Sequence, residues 1–117
     1  MEKFNFENLN VYQEALVFIN AIYNRTANWP KDELFGLASQ LRRAAVSIAL
    51  NIAEGSSRTK KDFRHFLDLS RGSVFECVAI LSIALNRKYI TAKEFELHYE
   101  FCNKLARMTS RLKTSLI

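Results

Sequence analysis

The stretch from Gln40 to Gly55, QLRRAAVSIALNIAEG, constrains this chain more than any other segment. At 100° per residue it forms a helix whose polar residues, Gln40, Arg43, Ser47, Asn51 and Glu54, fall within about 80° of one another. Leu41, Ala44, Ala45, Ile48 and Ile52 make one broad apolar face. Ala38, Val46, Ala49, Leu50 and Ala53 cover the flanks, with only Arg42 between them. A helix that is apolar around most of its circumference needs neighbours on more than one side. The segment therefore specifies architecture and assembly, and it contains no recognisable chemistry.

The remaining sequence supplies those neighbours. With 117 residues, 49% of them apolar, the chain is long enough for one domain spanning 1–117 and too short for two. One Pro, three Gly and no stretch of period-two alternation favour an all-α fold. Asn10 with Gln13 three residues later reads as a capping box for a helix over 10–28, which must stop before Trp29-Pro30. Asp32 reads as the cap of a second helix over 33–54, closed by a left-handed Gly55. Thr59 with Asp62 opens a third helix over 60–87, and Thr91 with Glu94 opens a fourth over 92–115. Short links between helices of this length favour antiparallel neighbours, so the expected fold is an up-down-up-down four-helix bundle. Its expected core contains Leu41, Ile48, Ile52, Phe66, Leu67, Val74, Leu81, Phe101 and Leu105.

Spacing argues against enzyme chemistry. A di-iron bundle needs Glu-x-x-His pairs on facing helices, but His65 has only Asp62 at that offset and His98 follows Glu94 by four residues. No P-loop, GxSxG, CxxC or HExxH pattern occurs, so no metal, cofactor or catalytic residue is expected, and both histidines read as structural. Cys77 and Cys102 fall on apolar faces and read as buried reduced thiols of a cytoplasmic protein. The longest apolar stretch, Cys77 to Leu85, is far short of the roughly 18 residues a membrane span needs, and MEKFNFENLN does not resemble a signal peptide.

The net charge of +5 is unevenly spread. Residues 1–40 carry a net −2, whereas 41–71 carry +4 and 72–117 carry +3. Arg58, Lys60, Lys61 and Arg64 cluster around the second interhelical turn, and Lys104, Arg107 and Arg111 share a face of the fourth helix with Glu96 and Glu100. Together with Arg42 they are candidates for contacting nucleic-acid phosphates, against the plainer reading of a solvated surface. The polar stripe has two readings as well. With Ser73 and Glu76 it forms either a hydrogen-bonded network or the lining of a subunit seam or pore. Gly72-Ser73 marks an expected close approach of the third helix to the second. Val17, Phe18 and Ala21 on the first helix, and Phe75, Ala79 and Ile83 on the third, lie off the main apolar stripes; one bundle cannot easily bury them all, which points to a homo-oligomer.

The same residues carry a resemblance. Arg43 to Gly55 fits R-x-A-x-S-I-x-x-N-I-A-E-G, Gly72 to Glu76 fits G-S-x-x-E, and NVYQEA and DELFGL precede them. Over about residues 8–113 the chain resembles the bacterial four-helix-bundle family first noticed as reading frames inside intervening sequences of the 23S ribosomal RNA gene. Ala49 stands where members often carry proline, which implies a straighter second helix. The resemblance implies a cyclic homopentamer and does not imply an enzyme. A related group, the accessory proteins of diversity-generating retroelements, consists of basic pentamers that partner a reverse transcriptase and bind nucleic acid. Two expectations follow: a nucleic-acid-associated accessory factor of the intervening-sequence or retroelement type, or a scaffold without nucleic-acid binding. The partners implied are other copies of the chain, RNA or DNA, and a reverse transcriptase, with no membrane.

Overall fold

Two threonines open the two longest helices. In the computed structural model, which describes residues 1–117, Thr59 Oγ1 accepts the backbone N–H of Asp62 at 3.2 Å and starts the helix Lys60–Asn86. Thr91 and Glu94 form the reciprocal box, with Thr91 Oγ1 accepting from Glu94 N at 3.1 Å and Glu94 Oε1 accepting from Thr91 N at 2.9 Å, and they start Ala92–Ser115. With Asn10–Thr26 and Leu37–Ser56 these make four α-helices, α1 (Asn10–Thr26), α2 (Leu37–Ser56), α3 (Lys60–Asn86) and α4 (Ala92–Ser115), and no strand. Short 3₁₀ turns at Asn5–Asn8 and Lys31–Glu33 precede α1 and α2. No helix is long and apolar enough to cross a membrane.

Four expectations about helix ends differ. Asn10 is the first residue of α1 and not its cap; extended Leu9 precedes it, and Gln13 reaches past it to the Glu7 carbonyl at 2.8 Å. The helix ends at Thr26, where the Oγ1 hydroxyl bonds back to the Ile22 carbonyl at 2.8 Å. The second helix starts at Leu37, because Lys31–Glu33 closes into a 3₁₀ turn and Glu33 Oε1, not Asp32, accepts the Leu37 N–H at 3.2 Å. Gly55 is helical and no glycine has a positive φ, so α2 continues to Ser56. The one left-handed residue is Lys88 after α3, at φ 64°. There the N–H of Lys88 donates to the Leu85 carbonyl and that of Tyr89 to the Ala84 carbonyl, at 3.0 and 2.9 Å, a Schellman closure with lysine in the position usually taken by glycine.

Each helix packs on its neighbours in the chain, and α1 closes the ring against α4. The pairs descend along one helix as they ascend along the next. Ser70 Oγ donates to the Ile48 carbonyl at 2.8 Å and Ser73 Oγ to Ser47 Oγ at 2.9 Å, while Lys113 meets Asp68 at 2.8 Å and Arg64 meets the Leu116 carbonyl at 2.9 Å. The α2 helix is covered on both flanks, by α1 and α3, as its circumference requires. It runs unbroken through Ala49, which is buried. Leu41, Ile48, Ile52, Leu67, Val74, Leu81 and Leu105 form the expected core, together with Phe18, Ile22 and Trp29 from the N-terminal part. Phe66 and Phe101 sit at its rim, half-buried, with Arg58 lying over one ring and Lys104 over the other.

Gly55, read from the sequence as a helix cap, takes the close-approach role that the sequence assigned to Gly72. A Cβ at Gly55 would lie 2.6 Å from the Phe66 Cβ, so Gly55 is where α3 closes on α2. A Cβ at Gly72 would meet nothing within 4 Å, so Gly72 marks no close approach within the chain. The reason is angular: Ser73 faces α2, and the preceding residue points about 100° away from it.

Candidate nucleic-acid interface

The basic residues sort by what already engages them. Arg42 is committed to the fold, since its Nε donates to Thr26 Oγ1 at 2.7 Å and its guanidinium lies 4.6 Å from the Tyr23 ring centre. Arg58 pairs with Glu54 at 2.8 Å, and Arg64 holds the carbonyl of Leu116. Lys104 pairs with Glu14 of α1 at 3.1 Å. Of the cluster around the second turn, Lys60 and Lys61 alone remain exposed and unpaired. Proximity in sequence thus overstated that cluster, because neighbouring carboxylates and carbonyls absorb its arginines.

Arg107 and Arg111 behave differently. They lie four residues apart on α4, and across the groove Arg71 and Phe75 lie four apart on α3, so the two pairs face each other. With Asn103 and Ser110 these side chains line an open cleft of about 410 Å³ that contains no carboxylate. The four ion pairs of the chain use Arg25, Arg58, Lys104 and Lys113, which leaves Arg71, Arg107 and Arg111 without a counter-ion. The Arg71 guanidinium lies 4.7 Å from the Phe75 ring centre, and Phe75 remains 55% exposed. Three guanidiniums converging on one cleft repel one another and attract an anion. Arg71 was absent from the sequence-based candidates. It becomes visible only when the register of α3 against α4 is known, although its i,i+4 spacing to Phe75 is legible.

The polar stripe divides. Asn51 Nδ2 donates to Ser47 Oγ at 3.0 Å and Ser73 Oγ donates to the same hydroxyl, a small network across the α2–α3 groove. Glu54 turns to Arg58, while Gln40, Arg43 and Glu76 are exposed and make no side-chain bond within the chain. The stripe is therefore half-buried network and half open surface. Among the expected interface residues, Val17, Phe75, Ala79 and Ile83 are exposed and Ala21 is half-buried. Phe18 is a correction: it is fully buried in the chain's own core, where its ring packs on Phe101 with centroids 5.3 Å apart. The helical-wheel reading missed this because α4 approaches α1 on that side.

The buried titratable groups all have structural partners or apolar surroundings. Arg25 Nε donates to His98 Nε2 at 2.9 Å and its Nη1 pairs with Glu94 at 2.6 Å, which clasps α1 to α4. Burial, reinforced by the Arg25 charge, lowers the His98 pKa, so His98 is the neutral acceptor in this bond. Glu94 is held below the usual carboxylate range, chiefly by the Thr91 N–H. Burial pushes both thiols up, Cys102 to about 12. His65 is exposed on α3, and no three His, Cys, Asp or Glu side chains come together.

The model of a family described as 23S rRNA-intervening sequence protein matches residues 7–111. A crystal structure of a protein of unknown function from the S23 ribosomal protein family of Bacteroides thetaiotaomicron is similar in fold, with a TM-score of 0.81. It is 21% identical in sequence, and the match covers 89% of this chain and 95% of that one. No curated protein matches the chain.

Proposed function

Since the chain belongs to the 23S rRNA-intervening sequence protein family, we propose that it is a non-enzymatic, homo-oligomeric helical bundle of the cytoplasm that associates with nucleic acid through phosphate contacts. The observation that carries this reading is the acid-free cleft between α3 and α4, where Arg71, Arg107 and Arg111 have no counter-ion. Phosphate contacts position a nucleic acid without reading its sequence, so binding should be tolerant of base sequence and steep in salt. The test is a titration of labelled RNA and duplex DNA at about 50 and 200 mM salt, a span over which several phosphate contacts lose orders of magnitude in affinity. Arg107→Gln/Arg111→Gln should weaken binding more than Lys60→Glu/Lys61→Glu. Absence of binding at the lower salt refutes the reading.

Assembly is the second element. The descending contact pairs support an up-down-up-down bundle, and the resemblance implies that five bundles form a ring. The outer face of α2 and α3 supports a contact between copies: it exposes Leu50, Leu69 and Ile83, with Arg43 and Glu76 unpaired among them. Gly72 lies on this face with open space above it. A glycine inside an exposed helix costs about 1 kcal/mol relative to alanine, which a close approach by a second chain would explain. Light scattering should return five times the 13.5 kDa chain mass, and Gly72→Leu should lower it. A wild-type protein of monomer mass refutes the assembly. A ring also multiplies each basic cleft, so weak contacts add through avidity.

The alternative is a protein-interaction scaffold, favoured by the same apolar outer face if no nucleic acid binds. In the retroelement version of the first reading the protein partner is a reverse transcriptase, and co-purification with that enzyme is the check.

A further inference from the structure

We propose that the cleft between α3 and α4 takes single-stranded nucleic acid in preference to duplex, with one unpaired base stacked on Phe75 and the flanking phosphates held by Arg71, Arg107 and Arg111. This rests on the nucleic-acid reading above and adds to it a site, a strand form and a stacking residue.

Phe75 is an aromatic ring 55% exposed in the middle of a helix. Its neighbours across the groove are Arg107, Arg111, Asn103 and Ser110, with Ala106 the one apolar residue among them, a poor setting for an apolar protein partner. A second copy of this chain would have to bring carboxylates to satisfy the three guanidiniums. A nucleotide satisfies both halves at once. Its phosphate is the anion the arginines lack, and its base is a flat apolar surface that stacks on an aromatic ring.

The Arg71 guanidinium lies over the Phe75 ring, 4.7 Å from its centroid, so it covers one ring face and itself presents a plane on which a base can stack. Arg107 and Arg111 stand one helical turn apart, about 6 Å, which is close to the spacing of successive phosphates in an extended strand. A duplex keeps its bases stacked on one another and offers the cleft only its backbone. It should therefore gain the arginine contacts and none of the stacking.

The experiment measures fluorescence anisotropy of the whole protein with a 12-nucleotide single-stranded RNA, the matching duplex, and the same single strand with its bases removed at central positions. Wild type should bind the single strand about tenfold more tightly than the duplex, the order of one base–aromatic stack. Phe75→Leu, an exposed substitution that keeps an apolar helix residue, should lose that tenfold on the single strand and nothing on the duplex. Phe75→Trp should keep or raise it. On the abasic strand, Phe75→Leu and wild type should bind alike, while Arg107→Gln/Arg111→Gln should weaken all three ligands. Circular dichroism and light scattering on each variant check that fold and mass are unchanged.

If Phe75→Leu binds every ligand as wild type does while the arginine variant fails, phosphate binding stands and the stacking site is refuted. A Phe75→Leu protein with altered oligomer mass makes the cleft a contact between copies and overturns the inference. No binding by wild type to any ligand removes this inference together with the reading it rests on.

Discussion

The α2–α3 seam and the α1–α4 seam are built from opposite materials. Between α2 and α3 lie Ile48, whose carbonyl takes one of the two serines that bond across, and Gly55, a glycine that admits Phe66. Between α1 and α4 the polar atoms are those of Arg25, His98, Glu94, Glu14 and Lys104, grouped around one aromatic pair, Phe18 and Phe101. The first seam depends on shape and on removing apolar surface from water, neither of which titrates. The second depends on charges that pH and salt can reach. A single small bundle thus has one seam that conditions barely touch and one that they loosen.

Substitutions separate the two. Ile48→Ala, in the apolar seam, should cost about 2–5 kcal/mol in chemical denaturation, the range for truncating a fully buried aliphatic side chain. A neutral Ile48→Ala would erase the contrast. Gly55→Ala should cost about 1–3 kcal/mol, since its Cβ meets the Phe66 Cβ at 2.6 Å and a well-packed seam yields little. The same change is normally stabilising inside a helix, so the sign of this result is diagnostic.

Acid should act on the polar seam. His98 has a folded pKa below its unfolded value near 6.5, because burial and Arg25 disfavour its cation. Its contribution is therefore complete above that unfolded value and is lost as the pH falls through the lower folded one. Thermal melts between pH 7.5 and 5 should show falling stability, and His98→Gln should flatten the profile over that window. An unchanged profile would place the acid sensitivity elsewhere. The smallest effect belongs to Lys104→Ala, where a half-exposed pair with Glu14 contributes less than about 1 kcal/mol and fades in high salt.

The sequence made some of this legible and hid the rest for identifiable reasons. Thr59 and Thr91 were readable as caps because the side chain that closes the turn sits at a fixed offset. Asn10 presented the same pattern and failed, since the chain had already turned at Asn5–Asn8 and Gln13 found the Glu7 carbonyl. The apolar circumference of α2 foretold two flanking helices, while the roles of Gly55 and Gly72 required knowing which residue of α3 faces it. The cleft was hidden for a similar reason. Arg71 lies in a different helix from Arg107 and Arg111, and no local pattern reveals that they converge. The belonging of Phe18 to the core likewise depends on where α4 returns.

The Arg25–Glu94, Arg25–His98 and Lys104–Glu14 contacts of the α1–α4 seam join residues 69, 73 and 90 positions apart, the longest spans among the chain's side-chain bonds and ion pairs. The α2–α3 bonds span only 22 and 26. Closing a longer loop costs more chain entropy before any contact rewards it, so neighbours along the chain, α1 with α2 through the Arg42–Thr26 bond at a span of 16 and α2 with α3, are favoured to pair before the α1–α4 seam closes. A polar seam that closes last is also the first to open. Amide protons of α1 and α4 should accordingly exchange through a partial opening of that seam in which the α2–α3 pairing stays intact.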